Sequence, residues 1–259
     1  MIEPYLVDLR LSREPGLDVA MRYPLAGGGK RIRPRLTLAA ARAGGADPAL
    51  ALPAAAAVEL VHTFSLVHDD LPALDDDNER RGRPSLHIAH GEAVAILAGD
   101  GLLNAAYRLA TERLEAPPKV RLRVVMELAA GVSGMIDGQY LDVAGPEPDA
   151  EGLVRLHRLK TGSLITAAVG CGLHVAGLDD EAQRPYRAFA SELGLLFQIV
   201  DDILDAATDE WGYVRSHGLD GARRLAGETR GRTLELLAAC DGATDELGEI
   251  VAEVADRAA

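Results

Sequence analysis

PALALPAAAAVELVHTFSLVHDDLPALDDDNERRGRPSLH, residues 48 to 87, decides how the rest of the chain is read. Its first half, residues 48 to 70, repeats apolar residues at three- and four-residue steps, the period of a helix rather than a strand. The vocabulary is Ala and Leu, which favour helix, with few of the β-branched and aromatic residues that favour strands. Its second half crowds Asp69, Asp70, Asp75, Asp76 and Asp77 together, with Arg80, Arg81 and Arg83 close behind. Like charges at this spacing repel, and an ordinary surface has no need of them. An apolar helix that ends in so many carboxylates points to something cationic held at its end.

The same helical period recurs at 92 to 114, 120 to 143, 151 to 173, 182 to 206 and 219 to 240. Breaks fall at AGGGK (26 to 30), APPK (116 to 119), AGPEPDAEG (144 to 152) and AGLDDE (176 to 181). There is no alternating strand pattern, no fixed repeat and no linker long enough to separate domains. The middle helices are apolar over most of their circumference, so some are buried on several sides. The expectation is one all-α domain over residues 1 to 259, a bundle of roughly eight to ten helices around a central core.

Composition narrows the function. Hydrophobic residues make up 48% of the chain and aromatics only 4%, and the net charge is −13. That charge argues against nucleic acid as a partner. A polyanion would have to be bound through a few focused cations or through metal ions. Cys171 and Cys240 lie far apart in no metal or redox pattern, the usage of a reduced cytoplasmic protein. MIEPYLVDLRLSREPG carries no basic region followed by an apolar run, so no signal peptide is expected. The weakly apolar stretch 164 to 177 is too short to span a bilayer, and no transmembrane segment is expected.

A second acidic cluster lies in FQIVDDILD, residues 197 to 205. On a helix Asp201 and Asp205 share a face and Asp202 is offset by about 100°. Alone, such a pattern is more often a helix end in solvent. Two such clusters, each after a buried apolar run, change that balance, because buried carboxylates are costly unless paired or metal-bound. Asp69 and Asp75 would lie about 240° apart on a regular helix. Pro72 between them breaks the helix and lets both turn toward one site. All-oxygen ligands suit Mg²⁺, which keeps waters and takes substrate phosphates, whereas zinc spacing and an EF-hand loop are both absent.

AGGGKRIRPRL, residues 26 to 36, is the third motif. It is not a P-loop, because Lys30 is followed by Arg31. Its glycines let backbone approach an anion, and Lys30, Arg31 and Arg33 sit beside a helix start at Pro34. By itself it could equally be a solvated basic loop.

GGKRIRP, HTFSLVHDDLPALDDD followed by RRGRPSLH, LAGDGLLNAAY, GQYLDV, LKTGSLI and FQIVDDILD stand in the order found in trans-polyprenyl diphosphate synthases. The chain resembles that family over about residues 20 to 210, with weaker similarity in GLDGARRLA. The resemblance implies an isoprenoid-synthase fold of helices around a central cavity, and a homodimer. It implies condensation of isopentenyl diphosphate with an allylic diphosphate, on the order of three Mg²⁺ per site, with Mn²⁺ as a substitute. By the same resemblance Asp69, Asp70 and Asp75 form the first metal cluster and Asp201, Asp202 and Asp205 the second. Arg80, Lys160, Thr161 and Gln198 match positions that contact the allylic substrate; Lys30, Arg33, His62 and Arg81 match the isopentenyl diphosphate site. Asp69, Asp75, Arg80, Lys160 and Asp201 carry the chemistry, and His68 has a packing or supporting role.

Phe64 and Ser65 lie about one helical turn before Asp69, where a hydrocarbon tail would run. Relatives with an aromatic residue there stop at farnesyl diphosphate, and those with a small one make geranylgeranyl diphosphate. Farnesyl diphosphate is therefore the expected product and geranylgeranyl diphosphate the alternative. One departure stands out. After its second cluster the family carries a glycine- and lysine-bearing lid, but here DDILDAATDE runs straight into WGYVRSHGLDGARRLA. A catalytically weak, prenyl-diphosphate-binding or regulatory subunit is the rival reading this raises. A class I terpene cyclase fits less well, since such enzymes lack GGKRIRP and the twin arginines Arg80 and Arg81.

Overall fold

The apolar run from Pro48 becomes a short 3-10 turn, Pro48–Ala51, and then helix α4, Leu52–Asp69, in a computed structural model that describes residues 1–145, 149–205 and 212–258. By length and composition Pro48–Asp69 could cross a membrane, more so than the stretch 164 to 177. The fold uses it instead as an inner helix, with 67% of its apolar window buried. Ala54 to Val58, Leu60 and Val61 are completely buried. Each large apolar side chain removed from water in this way contributes about 1.5–3 kcal/mol.

Around α4 pack α1 (Ile2–Asp8), α3 (Ile32–Ala43), α6 (Glu92–Arg108), α7 (Pro118–Ala144) and α9 (Ser163–Val175). On the far side of α9 lies α10 (Arg184–Leu204), which α11 (Tyr213–Ala238) and α12 (Asp245–Ala255) cover. The remaining helices, α2 (Pro15–Arg22), α5 (Leu86–His90) and α8 (Ala150–His157), are one or two turns long. The described residues thus form twelve α-helices, the all-α architecture expected; eight of them run for 11 residues or more.

Two departures from simple periodicity bear on function. The runs 92 to 114 and 151 to 173 each read as one helix. In the structure α6 continues into a wide π turn at Leu109–Arg113, and another at Arg158–Gly162 joins α8 to α9. Such turns recur at functional sites, and Lys160 and Thr161 ride on the second. The other departure is a hairpin of two-residue strands, Glu79–Arg80 paired with Arg83–Pro84. Arg81 and Gly82 form its turn, with φ of 56° and 73°, the left-handed pair of a type I′ turn. The break read at residues 144 to 152 falls partly outside the described residues.

Candidate active site

Helix α4 stops at Asp69, and the chain doubles back. The Asp75 amide donates to the Asp69 carbonyl at 2.9 Å, the Asp76 amide to the Leu71 carbonyl at 3.2 Å. Asp76 takes a left-handed φ of 52° to make the reversal. The two carboxylates are thereby gathered with Lys160, whose ammonium pairs with Asp142 near the end of α7. Burial, together with the charges of Asp75 and Asp70, pushes the Asp69 carboxyl up to about 6 against the pull of Lys160. Burial also raises Asp75, with Lys160 opposing and Asp77 and Asp142 adding to the rise. Carboxylates crowded and desolvated in this way attract a cation. Among the described residues no three acidic, histidine or cysteine side chains converge as a closed metal cage. An open site of that kind suits Mg²⁺, which binds through one or two carboxylates plus waters and phosphate oxygens.

The type I′ turn sends the twin arginines to different places. Arg80 Nε donates to Asp70 Oδ1 at 2.9 Å, and its Nη2 reaches Asp77 at 2.6 Å. Asp70 is buried and held in that ion pair, whereas Asp69 lines a cavity. Arg81 instead donates to the Gly28 carbonyl. Its guanidinium lies against Gly29, where a Cβ would come within 2.9 Å of Nη1 at a φ of 132°. Only glycine accepts both the left-handed backbone and that contact.

Arg31 and Arg33, two residues apart, also diverge. Arg31 starts α3 with a φ of 48° and turns into the core, binding Glu59 at 2.5 Å and the Leu25 carbonyl at 2.7 Å. It is therefore not beside Lys30 in an anion site, as the sequence suggested. Arg33 Nη1 donates to His62 Nε2 at 3.3 Å, and its guanidinium stands over the Phe197 ring. Because arginine can only donate, that bond requires His62 Nε2 to be unprotonated. Burial and the charges of Arg33, Arg81, Arg31 and Arg80 hold His62 well below the usual histidine range. Lys30 is exposed.

In the second cluster the three aspartates take different partners. Asp201 pairs with Arg257, from the short 3-10 turn after α12, at 2.8 Å. Asp202 is buried and accepts from Gln198 Nε2 at 2.7 Å and from the Tyr213 amide at 2.8 Å. Gln198 in turn accepts from Thr161 Oγ1 at 2.7 Å, tying α10 to the turn that carries Lys160. Asp205 caps the end of α10. The segment where a lid is missing from the sequence, residues 206 to 211, lies outside the described residues.

Below Asp69 opens a cavity of about 350 Å³ lined mostly by apolar side chains. Phe64, Ser65, His68 and Asp69 of α4 line it together with Met135, Ile136, Gln139, Tyr140 and Val143 of α7, and Lys160 and Leu74 complete the lining. Phe64 meets His68 edge-on at 5.1 Å, and His68 Nε2 lies 3.2 Å from the Ile96 carbonyl.

Sequence reasoning passed over Asp142, Arg257 and Gln139. Asp142 and Gln139 stand in GQYLDV, a motif whose place in the order was clear while the roles of these two residues were not. Arg257 carries no local signal, because its partner is remote in sequence.

Residues 14–222 match the polyprenyl synthetase family model. Farnesyl diphosphate synthase of Geobacillus stearothermophilus is 49% identical over 202 residues, covering 76% of this chain and 68% of that protein. Geranylgeranyl diphosphate synthase of Cyanophora paradoxa is 42% identical over 207 residues, covering 78% of this chain and 69% of that protein. The crystal structure of a Helicobacter pylori geranyltransferase complexed with magnesium and isoprenyl diphosphate superposes with a TM-score of 0.86 at 30% identity, covering 98% of this chain and 93% of the other.

Proposed function

This chain belongs to the polyprenyl synthetase family, and on that premise we propose that it makes farnesyl diphosphate, with geranylgeranyl diphosphate as the alternative product. It is a Mg²⁺-dependent trans-prenyltransferase that joins isopentenyl diphosphate to an allylic diphosphate, dimethylallyl or geranyl, giving a short-chain all-trans product. The observation that carries the reading is the reversal at Asp69 and Asp75, which sets paired carboxylates and Lys160 over an apolar cavity.

Asp69, Asp75 and Asp201 are the residues that would hold the metal, with Asp205 on the same helix end as Asp201. When bound, Mg²⁺ neutralises the charge that gathers on the departing diphosphate. On the order of three ions would serve one site. Lys160 adds a cation at the apolar cavity, and Arg80, fixed by Asp70 and Asp77, stands close enough for its charge to act on Asp69 and Asp75. Lys30, Arg33, His62 and Arg81 would receive the second diphosphate, with His62 neutral and so a hydrogen-bonding rather than a charged partner. The apolar cavity takes the hydrocarbon and keeps water from the allylic cation. Asp70 and Asp202, held by Arg80 and by Gln198 and Tyr213, act through those partners on the shape of the site. Phe64 supports the shorter product, because its ring forms part of the cavity wall one turn below Asp69.

The chain would work as one domain and as a homodimer. Ile96 and Leu97 on α6 and Leu122, Met126 and Ile136 on α7 are exposed apolar side chains, a surface suited to a second copy. A monomer by light scattering at micromolar concentration would contradict this. A cytoplasmic setting accords with Cys171 and Cys240, both buried and unpaired. The central experiment is an assay with Mg²⁺, isopentenyl diphosphate and dimethylallyl diphosphate, its products separated by chain length. Asp69→Ala or Asp201→Ala is expected to lower turnover at least about a hundredfold. Full activity of either variant, or of the parent in excess chelator, would overturn the reading.

A further inference from the structure

The π turn at Arg158–Gly162 lines two cavities. Lys160, at its middle, lines the apolar one with Asp69. Arg158 and Gly162, its two ends, line a second cavity of about 390 Å³ between α7, α9 and α10. The prenyltransferase reading makes no use of that second cavity. Its apolar lining is only alanine and glycine; the rest is two arginines, three hydroxyl side chains and Glu127.

The charges there do not cancel. Arg187 Nη1 donates to Glu127 Oε2 at 2.8 Å and its Nη2 to Oε1, while His174 Nε2 lies 3.1 Å from Oε1. Burial would raise the Glu127 carboxyl, but these bonds and the Arg187 charge hold it down at about 2. Arg187 therefore answers Glu127, and Arg158 is left as the excess cation. Arg158 is exposed and makes no hydrogen bond or ion pair through its side chain among the described residues. The hydroxyls of Thr166 and Ser191, both half-buried, are likewise unpaired among the described residues. Helical threonines elsewhere return their hydroxyls to the carbonyl one turn back, as Thr37 does to Arg33, Thr63 to Glu59 and Thr233 to Thr229. Thr166 does not, and its donor stays available at the cavity.

A guanidinium fork and two hydroxyl donors match the three oxygens of a phosphate group. We propose that this cavity binds the phosphate group of a small molecule, and that its occupant acts on the active site through the π turn. The second part follows from how the turn is gripped. A Cβ on Gly194 of α10 would lie 2.8 Å from Gly162 Cα, and one on Gly134 of α7 would lie 2.1 Å from Ser163 Oγ. Pressed between α7 and α10, the turn cannot move one end alone. Fixing Arg158 shifts Lys160 and Thr161 with it, and Thr161 carries the 2.7 Å bond to Gln198. Only this coupling rests on the active-site reading; phosphate binding does not, and neither part needs turnover to be tested.

The test is threonine-methyl NMR of the full chain without metal, titrated with inorganic phosphate and with butyl phosphate. The Thr166 methyl is expected to shift saturably, and the Thr161 methyl to follow with the same midpoint. Arg158→Gln breaks no bond within the fold and should raise both midpoints at least about tenfold, as loss of a charged donor requires. Tighter binding of butyl phosphate identifies an ester as the natural occupant, and the reverse order the free ion; either order supports the site. An unmoved Thr166 would overturn the proposal. So would an equal shift with sodium chloride at matched ionic strength, or an unchanged midpoint in Arg158→Gln. A Thr161 shift that persists in that variant would mean phosphate bound at Lys160 itself, and would overturn the coupling, as would a Thr161 that stays still while Thr166 moves.

Discussion

The backbone amide of Asp75 donates to the carbonyl oxygen of Asp69 across 2.9 Å. This bond closes the loop around Pro72 and brings together two carboxylates that a continuous helix would hold about 240° apart. The consequence is electrostatic: burial and neighbouring charge raise the Asp69 carboxyl to about 6. Below the ordinary value of 3.8, Asp69 is protonated in folded and unfolded chains alike and adds nothing to stability. Between 3.8 and about 6 the unfolded carboxyl ionises first, so metal-free protein loses stability as pH rises, and the loss is complete above that window. Asp69→Asn is therefore expected to melt higher than the parent at about pH 8 without metal, and at the same temperature at about pH 3. Mg²⁺ should raise the Tm of the parent more than that of the variant. Calorimetry at both pH values checks this; equal Tm at the higher pH contradicts it.

Asp201 carries its own resident cation, Arg257 at 2.8 Å, which any metal at that carboxylate must displace. A partly exposed pair of this kind contributes about 1 kcal/mol. Arg257→Ala should accordingly tighten Mn²⁺ binding to substrate-free protein by about fivefold. Titration followed by electron paramagnetic resonance decides it, and unchanged or weaker binding would show that Arg257 does not compete.

Phe64 is 9% exposed and stacked edge-on against His68. His68 is held away from the freed space, its Nε2 lying 3.2 Å from the Ile96 carbonyl and packed against Gly99. Truncating Phe64 should therefore deepen the cavity rather than let it collapse. Phe64→Ala is expected to lengthen the main product by at least one isoprene unit. Chromatography of dephosphorylated products provides the readout, and an unchanged distribution would place the cavity floor elsewhere.

Arg31 and Glu59 form a buried ion pair, with side chains 4% and 2% exposed. Removing one member strands the other charge, a loss of about 3–5 kcal/mol. Arg31→Met should lower stability to urea by about that amount. Arg31→Met combined with Glu59→Leu should recover most of it. A single variant as stable as the parent would mean that Glu59 finds another partner.

Much of this molecule is legible in its linear chain. Apolar residues at three- and four-residue steps determined the helices α4, α7 and α10, because helical hydrogen bonds link near neighbours and the buried face repeats with the turn. Asp69, Asp75 and Asp201 stood out for a similar reason, since acidic pairs directly after buried runs are costly and visible locally. What the linear order did not contain was the partner of each charge. Arg31 and Arg33 look alike in GGGKRIRP, yet a left-handed φ at Arg31 turns one toward Glu59 while the other meets His62. Arg80 and Arg81 are adjacent, yet the type I′ turn sends one to Asp70 and the other to Gly28. Arg257 reaches Asp201, and Lys160 reaches Asp142, only because helices distant in sequence pack side by side. Secondary structure is set by near neighbours, whereas the pairing of charges depends on which distant surfaces burial presses together, and the tertiary structure alone decides that.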